Sequence, residues 1–600
     1  MVSLSLDDTI LAKAPDPDKI IRIAQAKNYP NNAWYCIASF IGFVSACHIF
    51  SLLYHRLQIP SNRVPCTRGK ISLRRLPAAT LNAFRSFSFR WTIPIGQSYT
   101  LNVAEVFLTA AYIVIIFVWS LVNSTNTKGL KYDPKYWANT AGNIAASQLP
   151  LMTALGMKNN IISWLTGVGF EKLNYLHRMS ARVLCVLIWL HGAGRMKLGM
   201  NGTVGWDHPW VQCGLLAATS LTILSITSMR SLRDRNYEIF LVIHFVLAFI
   251  CVLGAYFHAQ GLGLGHYIWP SFLIWGLDRF LRAARMVAFN YGYFGGDTTE
   301  HSAHIEVLSP HFLRITLRRP RHLHWRAGQC AYLTVPSVSA NPFEAHPFTI
   351  STIDTAHLPN GTPVDEKLEV STPASRKLAF LVRVRSGFTR RLFDAAGKDG
   401  EMKVIFDGPY SSPPRLERFE TIILIAGGSG VAFTLPLLLD SIDRARRESA
   451  VCRKIVFVWA IRELSHVEWI SDALLPALQQ ALPPTIVVQL RIFVTAVVAG
   501  IPSWDDDSAE GDTEMKTEGG QKIDINVLDH PCIRLEQGRP DLQHIIDEEI
   551  NQSSGPISVN VCGTDALVNA ARSALQPLRF VDVLKGGPTV TLHVEAYGNM

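Results

Sequence analysis

The 600-residue sequence predicts a multi-domain membrane protein: an α-helical transmembrane bundle, then a small antiparallel β-barrel, then an α/β nucleotide-binding domain. Three observations carry that reading. Long uncharged apolar runs fall almost entirely before about residue 285, although hydrophobic residues make up 48% of the chain and mean hydropathy is +0.17. After the stretch NYGYFGGDTTE at 290–300 the pattern changes to short, alternating or β-branched segments. From Thr421 it changes again, to strand, glycine turn and helix. This distribution excludes a purely soluble enzyme and a disordered or fibrous chain. Ten cysteines without any C-x-x-C pair indicate neither a zinc site nor a disulfide scaffold. The first thirty residues carry Asp7, Asp8, Asp16 and Asp18 and no continuous apolar stretch, so they do not read as a cleavable signal peptide.

A span needs about 20 mostly apolar residues to cross about 30 Å of hydrocarbon. Seven segments qualify: 34–54, 100–122, 138–157, 173–193, 209–229, 237–258 and 265–282. The third is the weakest, because AGNIAASQLPLMTALGM is small and polar as well as apolar, and it also fits a buried helix in a bundle. The net charge of +9, from 57 basic and 48 acidic residues, follows the positive-inside rule better than a nucleic-acid footprint. Between His55 and Thr100 stand Arg56, Arg63, Arg68, Lys70, Arg74, Arg75, Arg85 and Arg90, with no Asp or Glu, so this loop is expected in the cytoplasm. Counting spans from there puts Arg230, Arg233, Arg235, Arg279, Arg282 and Arg285 inside, the N-terminus outside and the C-terminal half in the cytosol. The sequons at Asn123 and Asn201 then fall outside, as glycosylation sites, while those at Asn360 and Asn551 fall in the cytosolic half.

Span four contains His177 and His191, and span six contains His244 and His258. Both pairs are fourteen residues apart, nearly four helical turns, so each pair shares a face over about 21 Å of helix axis. The two spans run in the same direction, which lets His177 face His244 near the inner leaflet and His191 face His258 near the outer one. Two stacked bis-imidazole sites are what two b-type haems require. Interfacial or core histidines are the plainer alternative, but ionisable groups are rare inside bilayers without a role. A metal-transport ladder would add carboxylates or thiolates, and only Glu105 lies deep enough. Arg178 and Arg182 at the inner end of span four suit haem propionates or headgroup snorkelling equally. His48, His55, His208 and His266 have no matched partner and stay unassigned.

In the cytosolic half HIEVLSP, FLRITLRR, CAYLTVP, AFLVRVR and MKVIFDGPY read as barrel strands. TIILIA, KIVFVWAI, TIVVQLRIFV and ISVNVCG read as strands of a parallel sheet with helices between. After TIILIA, Gly427, Gly428, Ser429 and Gly430 open a helix, a turn that lets backbone approach a pyrophosphate at a helix N-terminus. Arg462, just past the next strand, suits a 2′-phosphate and hence NADPH, or a solvated surface. Residues 355–378 read as a loop, and 501–525, with eight acidic residues, as a disordered insertion.

On these features the sequence from about residue 100 to its end resembles the ferric reductase and NADPH oxidase superfamily, in its fungal metalloreductase branch. The resemblance rests on the two histidine pairs, His346-Pro347-Phe348-Thr349-Ile350-Ser351, Gly387-Phe388-Thr389-Arg390, the GGSG turn, Val561-Cys562-Gly563-Thr564 and Glu595-Ala596-Tyr597. It implies a ferredoxin-reductase-like cytosolic half. His346, Pro347, Phe348 and Thr349 would contact the flavin and ribityl chain of FAD; Gly387, Thr389 and Arg390 would hold its pyrophosphate. Cys562 and Gly563 would lie near the nicotinamide, and Tyr597 would cover the flavin. A Gly-Phe-Thr-Arg turn offers N–H groups, a hydroxyl and a guanidinium to a diphosphate, which fits that assignment. The sequence departs from the family pattern in reading Cys-Gly-Thr for Cys-Gly-Pro, EAYGNM for the terminal E-x-F-x-W, and Asp407-Gly408-Pro409-Tyr410-Ser411 for E-G-P-Y-G. The terminal departure weakens the assignment of Tyr597 most. The first span and the GGSG turn favour metalloreductases over oxidases.

The expected organisation is an extracellular tail at 1–33, the first span and basic loop at 34–99, a six-span, two-haem domain at 100–285, an FAD-binding β-barrel at 296–415, and an NADPH-binding α/β domain at 416–600. The resemblance implies a plasma-membrane oxidoreductase carrying electrons from NADPH through FAD and two haems to extracellular ferric chelates or Cu(II), with an iron permease or ferroxidase as partner class and no catalytic acid, base or nucleophile. A superoxide-generating NADPH oxidase would use the same wiring. A non-catalytic, nucleotide-sensing transporter or scaffold would hold no NADPH-reducible haem.

Overall fold

The computed structural model describes residues 16–57, 69–95, 99–290, 302–320, 322–341, 344–354, 375–447, 449–481, 486–496, 528, 530–553, 555–577 and 579–595. They divide into two compact units: residues 1–57 with 106–281, and residues 58–105 with 282–600.

The first unit is helical. Its elements are α1 (Pro17–Leu57), most of α3 (Val103–Leu121), α4 (Pro134–Gly156), α5 (Ile161–Thr166), α6 (Phe170–Leu198), α7 (Pro209–Thr227), α8 (Arg230–Arg233), α9 (Tyr237–Gln260) and the first part of α10 (Trp269–Phe289). Among the described residues four stretches are long and apolar enough to cross a membrane: Pro17–Leu53, Val103–Leu121, Gly202–Thr227 and Tyr237–Gln260. The other three expected spans are the helices α4, α6 and α10, whose composition is more polar. In α6 and α10 the cause is charge, from Arg178, Arg182 and Arg195 in one and Asp278, Arg279, Arg282 and Arg285 in the other. The third span, doubtful by composition, is well packed: Ala141, Ile144, Ala145, Leu149 and Leu155 are all buried. Leu184 and Leu187 of α6 belong to the same apolar core.

The N-terminal tail expected at 1–33 is corrected from residue 17 onward, because α1 begins at Pro17 and runs unbroken into the first span. Tertiary bonds account for the extra turns. Trp34 donates to the Ser147 carbonyl at 2.8 Å, Asn143 donates to the Ala26 carbonyl at 2.9 Å, and Tyr29 packs on Trp119 at 5.3 Å between ring centroids. Residues 1–15 lie outside the described residues.

The second unit contains α2 (Leu76–Arg85), a π-helical turn at Ser86–Arg90, and a hairpin of β1 (Thr92–Ile95) with β2 (Tyr99–Asn102). Next come β3 (Ser302–Ser309), β4 (Phe312–Pro320), β5 (Cys330–Thr334), β6 (His346–Thr349), β7 (Ser375–Arg383), α11 (Phe388–Asp399), β8 (Glu401–Lys403) and β9 (Ile405–Tyr410). These strands form two antiparallel sheets, β7-β4-β3-β8 and β6-β5-β9, joined by an isolated antiparallel bridge between Ile350 and Phe380. Alternate residues such as Ile305, Ile315, Leu333 and Phe380 point into one shared core, as period-two patterning requires. The end of α10 and the residue after it meet this domain: Phe289 packs against the core, Asn290 exchanges bonds of 2.8 and 2.9 Å with the Phe406 backbone, and Arg282 pairs with Asp407 at 2.6 Å.

A six-stranded parallel sheet follows: β10 (Thr421–Gly427), β11 (Lys454–Ile461), β12 (Val487–Val494), β13 (Ile533–Gln537), β14 (Ile557–Cys562) and β15 (Val590–Glu595), in the order β13-β12-β11-β10-β14-β15. Both faces are covered, so strands such as TIILIA and ISVNVC are buried throughout rather than alternating. The chain adds strands outward from β10 to β13 and then returns to the other side of β10. The strand order therefore reverses between β10 and β14, the crevice where open α/β sheets bind ligands.

Residues 69–91 pack against this domain. Arg90 is 2% exposed and donates to the carbonyls of Leu575 and Val590. Arg75 donates to the Val583 and Gly587 carbonyls at 3.3 and 3.1 Å, and Asn82 accepts from the Val590 N–H at 3.0 Å. The basic loop read as a topological signal is thus also a bonded part of the nucleotide-binding domain.

Candidate functional site

The four membrane histidines meet in two pairs. The ring centroids of His177 and His244 lie 6.2 Å apart, and those of His191 and His258 also 6.2 Å apart. With a ring radius of about 1.2 Å and a metal–nitrogen bond of about 2.0–2.1 Å, two imidazoles trans on one metal place their centroids about 6.4 Å apart. Each pair therefore has the separation that one iron between two rings requires. Three rings are also oriented. His177 Nδ1 bonds the Met152 carbonyl at 2.8 Å, His191 Nδ1 the Ala138 carbonyl at 2.7 Å, and His258 Nδ1 the Trp210 carbonyl at 2.8 Å. A carbonyl accepts only, so Nδ1 carries the proton and Nε2 is left to ligate. Among the described residues, His244 Nδ1 is buried with no hydrogen-bond partner. Arg178 and Arg182 lie on α6, one and five residues past His177.

His346, Pro347, Phe348 and Thr349 form β6, an edge strand of the three-stranded sheet. His346 stacks on Phe388 at 4.5 Å, and Phe388 opens α11 behind Gly387. Gly387 has φ of 77° with open space around it, so its backbone conformation, not crowding, calls for glycine. The N–H groups of the first turn of α11 face out of its N-terminus, the arrangement that receives a phosphate. Thr389 Oγ1 caps the Arg385 N–H at 2.8 Å, and Arg390 is half-exposed, beside Asp394 at 3.1 Å. A further pair escaped the sequence reading. Buried Glu344 accepts two bonds of 2.8 Å from Arg391 and a third at 3.1 Å from His346, tying β6 to α11. Burial opposes ionisation of Glu344, but the Ala340 N–H, His346 and Arg391 outweigh it and hold the carboxyl below its ordinary range. A glutamate two residues before the histidine was the only available sequence signal.

At the sheet's reversal point the two glycine segments converge. Ala426 pairs with Cys562 across β10 and β14, so Gly427–Gly430 and Cys562–Gly563 leave neighbouring strand ends together. A Cβ at Gly430 would lie 2.2 Å from the Cys562 carbonyl oxygen, and one at Gly563 would lie 3.2 Å from Gly427 N. Here the glycines are required by backbone approach. Gly428 has φ of 53°, and α12 (Val431–Arg446) starts immediately after the turn. The fully buried Trp459 donates to the Gly428 carbonyl at 2.9 Å and pins the loop from below, a role that its place in an apolar strand concealed. Arg462 is exposed just beyond β11, beside β10, and Glu595 lies next to Cys562 on β15. Tyr597 and the insertion 501–525 lie outside the described residues. Asn123 and Asn201 are both exposed, and Asn123 donates to Tyr29 at 3.2 Å.

Comparison with known proteins gives three family matches in this order along the chain: a ferric reductase like transmembrane component at residues 141–255, an FAD-binding domain at 299–414, and a ferric reductase NAD binding domain at 419–576. The chain is 24% identical over 492 residues to a probable ferric reductase transmembrane component of Candida albicans, covering 77% of this chain and 67% of that protein. It is 28% identical over 376 residues to the probable cell surface ferric reductase kap2 of Aspergillus oryzae, covering 60% and 47%. With ferric reductase transmembrane component 5 of Saccharomyces cerevisiae it shares 23% identity over 474 residues, covering 77% and 61%. The matches thus span between about half and two thirds of these relatives' own lengths. The three matches in this order, together with the fungal ferric reductase relatives, place the chain in the ferric reductase superfamily, on its fungal branch.

Proposed function

We propose that the protein is a transmembrane metalloreductase that carries electrons from cytosolic NADPH, by way of FAD and two b-type haems, to Fe(III) chelates or Cu(II) beyond the plasma membrane. The observation that carries this reading is the pair of equal histidine separations, 6.2 Å each, on two helices. Flavin supplies the exchange between two-electron hydride and one-electron chemistry, and bis-imidazole haem iron supplies a one-electron station inside the membrane.

The chain's own residues bind and orient. His177 with His244, and His191 with His258, would hold the two haem irons through Nε2, the two histidines of each helix standing about 21 Å apart by helix rise. His346, Pro347, Phe348 and Thr349 flank the flavin, while Gly387, Thr389 and Arg390 receive its pyrophosphate at the start of α11. Gly427, Gly428, Ser429 and Gly430 carry the NADPH pyrophosphate, Arg462 takes the 2′-phosphate, and Cys562 with Gly563 border the nicotinamide. No side chain has to transfer a proton. The bonds from Arg75, Asn82 and Arg90 to residues 575–590 support a loop on the same side as the dehydrogenase half, hence the cytosol, with Asn123 and Asn201 outside and open to glycosylation.

Relatives named ferric and ferric/cupric reductase favour a metal acceptor over oxygen. Membranes containing the protein should reduce a ferric chelate with NADPH anaerobically and in the presence of superoxide dismutase. Loss of that activity under either condition would identify superoxide as the product and overturn the metal assignment.

A further inference from the structure

Three of the four histidines rest on a glycine of a neighbouring helix. A Cβ added at Gly142 would lie 2.6 Å from His191 Nδ1, at Gly156 3.0 Å from His177 Nδ1, and at Gly214 2.5 Å from His258 Nδ1. In each case the carbonyl that accepts from Nδ1 stands four residues before that glycine: Ala138, Met152 and Trp210. One turn of helix therefore offers a two-part seat, a gap where the ring lies and a carbonyl where its N–H points. Gly142 and Gly156 are fourteen residues apart on α4, the spacing of the histidines they face on α6. On α7 the position fourteen past Gly214 is Ser228, the residue that caps the helix. The seat is missing there, and His244, the ring it would have served, has the unpartnered Nδ1 and lies between Phe240 and Phe245 at 5.4 and 6.3 Å.

Backbone needs do not explain these glycines. None has a positive φ, and a glycine inside a helix costs about 0.8–1.0 kcal/mol relative to alanine. Gly254 shows the contrast, since its added Cβ would meet the Cys213 carbonyl at 2.8 Å, a helix–helix approach. The nearest atoms at Gly142, Gly156 and Gly214 are all imidazole atoms.

We propose that Gly142, Gly156 and Gly214 are positioning residues that seat the ligating imidazoles, the outer pair on both sides and the inner pair through His177 alone. This rests on the four histidines being haem ligands. A methyl at a seat pushes the ring off its carbonyl and rotates Nε2 away from the iron, at that one site only.

The test is haem stoichiometry and anaerobic redox titration of the purified full-length protein. The unsubstituted protein should hold two haems that titrate in two steps. Gly142→Ala and Gly214→Ala should each halve the haem content and remove the same step, although they lie on different helices. Gly156→Ala should remove the other step. The remaining haem reports that each variant is folded, and Gly42→Ala, whose added methyl meets nothing within 4 Å, should keep both. The proposal is overturned if the seat variants keep two haems at unchanged potentials, if Gly142→Ala and Gly214→Ala remove different steps, or if one variant loses both haems while Gly42→Ala keeps them. An unsubstituted protein without haem overturns the proposed function itself, a result separable from all of these.

Discussion

His191 and Glu344 show how much one side chain decides here. His191 has its ring fixed by the Ala138 carbonyl and faces His258. His191→Ala should abolish reduction of an external ferric chelate while NADPH still bleaches the flavin, as stopped-flow spectra at the flavin band would show. Persistent chelate reduction in that variant would place the electron path elsewhere. Glu344 acts differently, by joining the strand of His346 to the helix of Gly387 through Arg391. Its carboxyl is held below the ordinary range despite burial, so its folded pKa lies below the unfolded one. Stability of this junction is then complete at neutral pH and is lost as pH falls through the acid range. FAD retention, read by fluorescence of released flavin, should drop on acidification, and Glu344→Gln should flatten that dependence. Gly430 is the third case: Gly430→Ala drives a methyl into the Cys562 carbonyl, so the Michaelis constant for NADPH should rise at least tenfold with FAD content unchanged.

At the scale of elements, the segments whose periodicity is dictated by burial were legible. Strands β3, β4, β5, β7, β10, β11, β12 and β14 and the glycine turn lie where alternation or continuous apolar runs put them, because period-two and fully buried patterns are properties of sequence, whereas MKVIFDGPY divides into β8 and β9 on different sheets and β6, β13 and β15 went unread. What escaped depends on partners far along the chain. Arg90 reads as one of eight loop cations, yet burial, then Arg85 and Arg579, pull its pKa down to about 10, because residues 575–590 close over it. Segment 17–33 looks polar enough for a tail, yet Ala26 and Tyr29 find partners on α4 and α3. Helix α4 reads as the weakest of the seven spans because it is small and polar, and its Gly142 and Gly156 are where the α6 histidines approach. Trp459 and Glu344 were invisible in the sequence because their roles are hydrogen bonds to backbone or to side chains of other elements. The buried strap formed by 69–91 gives a prediction. Arg90→Met strands the Leu575 and Val590 carbonyls, at about 1–3 kcal/mol for each buried unpaired group. Thermal unfolding of the full-length protein, followed by flavin release, should occur at lower temperature, while Arg74→Met, at an exposed position, should leave it unchanged.

For the whole molecule, the histidine pairs lie in one compact unit and the reversal point of the parallel sheet in the other, and the proposed electron path requires electrons to pass from the second to the first. Nucleotide binding alone, without reducible haem, would suit a sensor rather than a reductase. The most direct measurement is an anaerobic absorption spectrum of the purified full-length protein, supplied with FAD and then with NADPH. A Soret band that shifts, with sharpened α bands of reduced bis-histidine haem after NADPH addition, is the predicted result. A colourless protein, or a haem band that NADPH leaves unchanged while dithionite reduces it, would contradict the proposed electron path.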